Sequence, residues 1–261
     1  MRAQVNGIEL RYEMQGDGPD VVLTHGMGGR LEVWDGTARE LAKRYRVTTW
    51  DVRGFGESSK PPGPVTPEVW AADLRGLMDQ IGIDKAAQIG HSMGGVIVQR
   101  FALDYPARTW ALIPMGTSSE VNEKARERWA RMADKIEKEG LQAVIGDRGS
   151  LAFSDAYTRA HPAEVAEYTS QRLRNDGPAY AAAGRAVSSY SYTAELARIA
   201  CPTLVIAGAD DKVAPPGGSV IMSRQIPGAR LEIIENCGHT MTMEQFPTLI
   251  ALLKDFLNSV S

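Results

Sequence analysis

Short apolar segments alternate with longer segments of helical periodicity along most of this 261-residue chain, and this alternation restricts the possible folds more than any other feature. The apolar segments are bounded by Gly, Pro or Asp and are predicted to be buried strands. They are residues 21–24, 47–50, 86–89, 110–113, 202–206 and 231–234. Helices are predicted over residues 31–44, 67–81, 94–105 and 219–225. Alternating strands and helices predict a mostly parallel sheet with helices on both faces.

The beginning of the chain departs from this alternation. Residues 5–12 alternate polar and apolar side chains next to Asn6 and Gly7, a dipeptide that tolerates the positive φ angles of a tight turn. We therefore expect an antiparallel hairpin before the parallel strands. In a parallel sheet of this kind, ligands bind at the carboxyl ends of the strands.

A second departure lies in the middle of the chain, where residues 117–196 contain no convincing strand. Apolar side chains there recur at helical spacing, opposite a densely charged face, which predicts a helical insertion that packs on the neighbouring structure. The apolar stripe consists of Val121, Ala125, Trp129, Met132 and Ile136. Because it follows a strand ending near Pro114, the insertion is expected to cover the ligand-binding edge of the sheet.

Charge and composition exclude several classes of protein. The chain has 29 Lys and Arg residues against 32 Asp and Glu residues, a formal net charge of −3. It lacks the positive field that nucleic-acid binding uses, so we expect no nucleic-acid partner. With 43% hydrophobic and 23% charged residues, the composition is that of an average globular protein and argues against a disordered or fibrous chain.

The length of the apolar segments and the spacing of the cysteines predict where the protein is located and whether it has disulfides or a zinc site. No run of about 18 apolar residues and no signal-peptide pattern occurs, which predicts a cytoplasmic location without membrane association. Cys201 and Cys237 lie far apart and lack the paired spacing of a zinc site or a disulfide framework. Both are interpreted as buried packing residues.

A candidate nucleophile stands between the third predicted parallel strand and the following helix. Residues 90–94 read Gly-His-Ser-Met-Gly and match G-x-S-x-G, the pattern of a nucleophile elbow. In such a turn, the serine has a strained backbone, and a Cβ two residues before or after it would clash. Ser92 is therefore expected at the strand end, where the N-terminus of the next helix favours developing negative charge.

A serine nucleophile needs a general base, and the base needs an acid that orients it. Of four histidines, His239 follows the last predicted strand and reaches the same sheet edge as Ser92. His25 and His91 stand beside glycines and are interpreted as loop-shaping residues, while His161 is expected in solvent. The acid candidates are two adjacent aspartates after the strand at 202–206, Asp210 and Asp211.

A glycine-rich loop, residues 25–29, follows the first parallel strand and reads His-Gly-Met-Gly-Gly. It is either a simple tight turn or half of an oxyanion hole, in which the backbone amide of Met27 acts beside that of Met93. Dinucleotide binding is the rival interpretation, but G-x-G-x-x-G is interrupted by Leu31 and no P-loop lysine follows. Neither a nucleotide pattern nor a metal-ligand cluster is found, so no cofactor and no metal are predicted.

Five motifs occur in an order and at a spacing that resemble those of the capped α/β-hydrolases, across nearly the whole chain outside the insertion. They are residues 25–29, 51–58, 90–95, 208–215 and 238–239. The resemblance implies an α/β-hydrolase fold with a core at 1–116 and 197–261 and a helical cap at 117–196. In that family the acid stands four residues before the proline that here is Pro215, which selects Asp211. Asp51 and Arg53 match a loop that is mainly structural in the family.

The resemblance also narrows the activity. Epoxide hydrolases and haloalkane dehalogenases carry Asp where this chain has Ser92, so those activities are not expected. The segment from Pro202 to His239 is most similar to the 3-oxoadipate enol-lactonase and esterase branch, although proline follows Glu244 by three residues rather than the more usual two. We therefore predict a serine hydrolase that cleaves a small-molecule carboxylic ester or lactone through an acyl-enzyme.

Two alternatives remain at this point. One is a C–C bond hydrolase of vinylogous diketones, which uses the same triad but usually has a Ser-Gly-Pro-Gly-type stretch after His-Gly, where this chain has Met-Gly-Gly-Arg. The other is a slow-turnover, signal-binding protein similar to RsbQ and the karrikin receptors. The acyl and alcohol groups and the oligomeric state are not predicted by the sequence.

Overall fold

The computed structural model describes residues 1–145 and 149–261 and contains one eight-stranded sheet. The strands are β1 (Arg2–Val5), β2 (Ile8–Gln15), β3 (Asp20–Thr24), β4 (Arg46–Trp50), β5 (Ala86–His91), β6 (Thr109–Met115), β7 (Leu204–Gly208) and β8 (Arg230–Ile234). Their order in the sheet is β1-β2-β4-β3-β5-β6-β7-β8. The pairs from β4 to β8 are parallel, while β1 with β2 and β2 with β4 are antiparallel. The mostly parallel sheet predicted from the alternation is confirmed.

The antiparallel edge begins with the predicted hairpin. Asn6 and Gly7 have φ angles of 49° and 77°, the paired positive angles that a two-residue hairpin turn requires. Val5 pairs with Ile8 across this turn. The Asn-Gly dipeptide therefore sets the register of the first two strands.

Helices cover both faces of the sheet. They are α1 (Asp35–Leu41), α2 (Pro67–Gln80), α3 (Met93–Asp104), α4 (Glu123–Glu139), α5 (Gln142–Ile145), α6 (Asp155–Ala160), α7 (Pro162–Leu173), α8 (Gly177–Ala186), α9 (Gly217–Gln225), α10 (Met241–Glu244) and α11 (Phe246–Val260). Short 3-10 helices lie at Leu31–Trp34, Pro106–Arg108, Gly149–Ala152 and Thr193–Arg198. The single helix predicted over 31–44 is wrong in detail, because a 3-10 turn precedes α1 and the chain leaves the helix after Leu41 to enter β4.

The sheet lies between two apolar cores, one on each of its faces. Trp70 and Leu74 of α2 pack with α3 on one face, and Leu249 and Leu253 of α11 pack with α1 on the other. All four side chains are buried. Strands β3 to β7 between these cores are buried on both sides, which explains why they read as continuous apolar segments rather than as alternating ones, whereas β8 at the sheet edge is partly exposed.

Helices α4 to α8 occupy the segment between β6 and β7, where a helical insertion is predicted. Asn122 caps α4 by accepting a hydrogen bond from the Ala125 amide at 2.9 Å, so Val121 of the predicted stripe precedes the helix. Met132 and Ile136 are buried, and α4 packs against α8. A Cβ on Gly184 of α8 would lie 3.0 Å from the Met132 side chain, so this glycine permits the close packing.

The helical segment leaves and rejoins the rest of the chain at one place, which we call the neck. Glu120 and Ser191 form an isolated antiparallel bridge there. Beside it, the Tyr192 amide donates to the Ser119 carbonyl at 2.7 Å, and the hydroxyls of Ser119 and Thr193 are 2.7 Å apart. The two ends of the segment are thereby joined by both backbone and side-chain hydrogen bonds.

The cysteines are both free. Cys237 is buried, as expected, but Cys201 is only partly buried, because it stands in the loop that leads into β7. Among the residues that the structure describes, no helix is both long and apolar enough to cross a membrane.

Candidate active site

Ser92 stands at the turn between β5 and α3 with φ 55° and ψ −117°, a conformation that non-glycine residues rarely adopt. Its amide donates to the Met115 carbonyl at 2.8 Å, which holds the turn against the neighbouring strand. Within the described residues, Ser92 Oγ has no hydrogen bond. The hydroxyl is therefore available to a substrate.

The glycines on either side of Ser92 are required by close backbone contacts. A Cβ on Gly90 would lie 2.2 Å from the Gly94 carbonyl oxygen, and a Cβ on Gly94 would lie 2.1 Å from that of Thr24. Both contacts are with backbone atoms, which cannot move without displacing β3 or α3. The G-x-S-x-G spacing thus has the steric cause that the sequence suggested.

His239 and Asp211 are joined by a hydrogen bond. His239 Nδ1 lies 2.7 Å from Asp211 Oδ2, and both side chains are buried. Asp211 Oδ1 accepts from the amides of Val213 and Ala214, each at 2.8 Å, so the carboxylate is fixed at both oxygens. The neighbouring Asp210 is exposed. Of the two aspartates that the residues alone left open, Asp211 is the one that contacts the imidazole.

Two cavities meet at Ser92. The smaller, of 190 Å³, is lined by Ser92, His239 and Met27 together with residues of the insertion. The larger, of 640 Å³, is also lined by Ser92 and Met27, and by Met93. The sheet edge thus brings the predicted nucleophile, base and oxyanion residues to one site beneath the helical segment.

The loop after β3 is held by His25. The Val52 amide donates to His25 Nε2 at 3.0 Å, so Nδ1 carries the proton and donates to the Gly26 carbonyl at 2.8 Å. Burial lowers the pKa of His25, which keeps the ring neutral in this role. Met93 is the first residue of α3, where an amide has no partner within the helix. Met27 and Met93 are both buried beside Ser92.

His91 supports the other side of the site. Its Nε2 lies 2.8 Å from the His239 carbonyl oxygen, and the two rings are 4.6 Å apart. Burial and the neighbouring His239 lower the pKa of His91 to about 3. His91 is therefore neutral at physiological pH and donates from Nε2 to that carbonyl. His161 lies in solvent, as expected, and bonds Glu164 at 2.8 Å.

The sequence analysis did not identify Glu244 as part of the site. Glu244 Oε2 accepts from the amides of Ser154 and Gly238 at 2.9 and 3.0 Å, and Oε1 accepts from the Thr240 amide at 3.3 Å. Two of these amides flank His239, whose own amide donates to the Ala152 carbonyl at 3.1 Å. One carboxylate therefore links the histidine loop to the helical segment. Only its distance of five residues from His239 could have drawn attention to it.

Arg172, near the end of α7, is a second residue that the sequence analysis missed. Its Nη2 donates to the Met27 carbonyl at 2.5 Å, and its guanidinium lies over the Tyr168 ring, 4.6 Å from the centroid. Close by, Asn175 Nδ2 donates to the Gly28 carbonyl at 3.0 Å. Two side chains of the helical segment thus hold the carbonyls of the loop that carries Met27.

Asp51 and Arg53, expected to be structural, lie in hydrogen-bond networks outside the two cavities. Asp51 is buried and accepts from the amides of Leu31 and Glu57, each at 2.7 Å. Arg53 forms an ion pair of 2.6 Å with the buried Asp73. These contacts fix the loop after β4.

Comparison with known proteins identifies the family. Residues 19–246 match the family model described as alpha/beta hydrolase fold. The chain belongs to this family. A 3-oxoadipate enol-lactonase of Acinetobacter baylyi is 27% identical over 88% of this chain and 85% of its own length. These findings confirm the predicted α/β-hydrolase fold and the resemblance to the enol-lactonase and esterase branch.

Two solved structures are similar over nearly their whole length. The enol-lactonase from Burkholderia xenovorans LB400 superposes with a TM-score of 0.93 at 30% identity, covering 99% of this chain and 100% of that one. A thermophilic esterase from Thermogutta terrifontis also has a TM-score of 0.93 at 30% identity, and the match covers 100% of this chain and 98% of the esterase. Within the described residues, no group of three or more His, Cys, Asp or Glu side chains could hold a metal ion.

Proposed function

We propose that this α/β-hydrolase cleaves a small carboxylic ester or lactone through an acyl-enzyme on Ser92. The observation that carries the proposal is the 2.7 Å hydrogen bond between His239 and Asp211 at the cavity that Ser92 lines. A neutral imidazole oriented by a buried carboxylate is the base that a serine hydroxyl needs. The similarity to enol-lactonases and an esterase supports the same chemistry.

The reaction has two halves. His239 takes the proton of Ser92 as Oγ attacks the ester carbonyl, and then gives that proton to the leaving oxygen as the acyl-enzyme forms. Water, activated by His239, then hydrolyses the acyl-enzyme. Asp211 holds the imidazole in the required tautomer and stabilises the imidazolium, without itself taking a proton.

The backbone amides of Met27 and Met93 donate hydrogen bonds to the negatively charged oxygen of each tetrahedral intermediate. One such donor contributes about 2.7 to 4 kcal/mol to the transition state. The N-terminus of α3 adds a favourable dipole at the same point. All charge stabilisation in this scheme comes from the protein, so neither a metal nor an organic cofactor takes part.

The helical segment 117–196 is proposed to act as a cap over a core of residues 1–116 and 197–261. Residues from the segment line both cavities at Ser92, among them Trp129. The cap would therefore determine which acyl and alcohol groups are accepted. We further propose that the enzyme works in the cytoplasm, which cell fractionation with an antibody tests.

A serine-directed phosphonate and one substrate panel test the proposal. The probe should label Ser92 alone, and Ser92→Ala should lower kcat by on the order of a million-fold while the melting temperature hardly changes. The panel consists of p-nitrophenyl esters, lactones and vinylogous diketones. Labelling elsewhere, or a folded Ser92→Ala variant that keeps most of its activity, contradicts the proposal. Diketone cleavage far above every ester and lactone would assign a C–C hydrolase instead.

A further inference from the structure

The two cavities that meet at Ser92 differ more than threefold in volume, 640 Å³ against 190 Å³. For comparison, a cavity of about 150 Å³ accommodates benzene, a molecule of six carbon atoms. On that scale the larger cavity holds roughly 25 non-hydrogen atoms and the smaller one roughly eight. The two halves of a substrate that spans Ser92 are therefore expected to differ greatly in size.

The buried part of the larger cavity is mostly apolar. Its buried apolar lining consists of Met27, Met93, Val96, Val187 and Tyr190. Among the described residues, the charged side chains that line this cavity are all exposed, so its charge lies at the opening. An alkyl chain in the interior would therefore remove apolar surface from water without burying a charge.

The smaller cavity is less suited to a long alkyl chain. Apolar side chains line it as well, but its lining also includes His239 and the half-buried Arg172. A long chain there would exceed the volume and would remove water from the guanidinium without replacing its hydrogen bonds. A chain of about eight or more carbons thus fits only the larger cavity.

The position of His239 tells which half of the substrate enters which cavity. Among the described residues, His239 lines the smaller cavity only, and Met93, which supplies an oxyanion amide in the proposed mechanism, lines the larger cavity only. Because the imidazole must give its proton to the leaving oxygen, the alcohol lies on the His239 side of Ser92. The acyl chain then extends from the ester carbonyl into the larger cavity.

An exposed apolar side chain stands at the opening of the larger cavity. Ile221 of α9 lines this cavity and is 47% exposed, so part of the opening is apolar. Exposed apolar side chains are common on protein surfaces and need no explanation where they occur singly. This one lies where an acyl chain that fills the cavity would cover it, which would stabilise the bound chain.

We propose that the preferred substrates are esters of a short alcohol with a long apolar acyl chain, of about eight or more carbons, that fills the larger cavity and reaches Ile221. The inference rests on the proposed hydrolysis at Ser92 and specifies the substrate class for that site. The acyl chain is held by apolar burial, and the alcohol is limited by the volume of the smaller cavity.

Two isomeric esters place the same chain on opposite sides of the ester bond. Ethyl octanoate carries it on the acyl side, and octyl acetate carries it on the alcohol side. Burial of each CH2 group raises kcat/KM by about two- to fourfold, so kcat/KM for ethyl octanoate should exceed that for octyl acetate by about 100-fold or more. Gas chromatography of the released alcohol measures both rates below the solubility limit of each ester.

Two pairs of variants connect the preference to the cavity, with the ratio of kcat/KM for ethyl octanoate to that for ethyl acetate as the readout. Ala125→Phe, a half-buried position that lines the larger cavity, should lower this ratio at least tenfold, whereas Ala130→Phe, half-buried on the same helix but lining neither cavity, should leave it unchanged. Ile221→Ser should lower the ratio by about three- to tenfold. Ile233→Ser, 40% exposed on β8 and away from both cavities, is its control.

Using a ratio of two esters corrects for any general loss of activity, and the melting temperature of each variant shows that it is folded. A ratio that stays at the wild-type value in both Ala125→Phe and Ile221→Ser overturns the inference. Cleavage of octyl acetate as fast as that of ethyl octanoate overturns it as well.

A binding measurement separates this inference from the proposed function. In calorimetry, Ser92→Ala should bind ethyl octanoate at least tenfold more tightly than ethyl acetate, and the additional change Ala125→Phe should remove the difference. If no ester is hydrolysed while this difference in binding persists, the proposed hydrolysis is wrong and the acyl cavity stands. If short esters are hydrolysed but chain length affects neither rate nor binding, the inference about the acyl chain alone is wrong.

Discussion

Replacing Glu244 with glutamine changes one atom and tests whether a carboxylate holds the catalytic histidine loop. The native side chain accepts three amide hydrogen bonds, two at Oε2 from Ser154 and Gly238 and one at Oε1 from Thr240. A glutamine has only one acceptor oxygen. At best it keeps the two bonds at the Oε2 position, and its NH2 group then faces the Thr240 amide, donor against donor.

The size of the effect follows from these three bonds. A hydrogen bond to a charged group contributes about 1.5 to 3 kcal/mol net, and a neutral one about 1 kcal/mol. Glu244→Gln loses one charged bond and the charge assistance of two others. The Thr240 amide keeps its bond of 3.1 Å to the Ala152 carbonyl, and the site is only partly buried, so part of the loss is recovered. We expect the free energy of unfolding to fall by about 2 to 3 kcal/mol, equivalent to roughly 5 to 10 °C in Tm.

Urea denaturation and steady-state kinetics measure the two consequences. The midpoint should move without a change in slope, and kcat for an ester should fall more than KM rises, because the loop positions His239 rather than binding substrate. Glu235→Gln, at an exposed position four residues before His239, is the matched control and should change neither quantity. Wild-type stability and kcat in Glu244→Gln would refute the reasoning.

Four further outcomes are expected. Asp211→Asn should lower kcat about ten-thousand-fold and Asp210→Asn far less, as steady-state assays will show, and the reverse ranking would reassign the acid. Folding lowers the pKa of His91 from 6.5 to about 3, so between these pH values the unfolded chain binds one more proton than the folded chain. The free energy of unfolding should therefore decline by about 1.4 kcal/mol per pH unit as the pH falls through that window. In urea titrations, His91→Gln should reduce this dependence by that amount, and the exposed His161→Gln should not. Gly94→Ala should prevent folding or abolish phosphonate labelling, because its Cβ would lie 2.1 Å from a carbonyl oxygen. EDTA should leave ester hydrolysis unchanged, and a loss restored by added metal would contradict the cofactor-free mechanism.

The elements of the fold were predictable where a local pattern determines them. Strands β3 to β8 are apolar segments bounded by turn residues, and Asn6-Gly7 encodes its own turn. Ser92 was identifiable because the strand, the two glycines and the helix all lie within a few residues of it. His239 and Asp211 follow neighbouring strands of a parallel sheet, so their meeting at one edge follows from topology.

The rest of the site depends on contacts between distant segments. Glu244 matters because the segment near Ser154 packs against the histidine loop, a contact across 90 residues. Arg172 matters because α7 places its side chain on the Met27 carbonyl, a contact across 145 residues that a helical pattern does not encode. The residues alone could not tell which of Asp210 and Asp211 orients the histidine, because two adjacent aspartates in one loop have the same local sequence pattern. The family resemblance alone selected Asp211.

The neck described above has a consequence for how this protein can diverge. Residues 120 and 191 pair with each other, so the chain between them forms one long loop whose two ends are joined. The entropy of closing such a loop rises only slowly with its length, by about 0.6 kcal/mol for each doubling. Insertions and deletions can therefore be absorbed there without disturbing the strands, and a graft joined at Ser119 and Tyr192 can transplant substrate preference between relatives if it keeps the contacts of Arg172 and Ser154 with the loops that carry Met27 and His239.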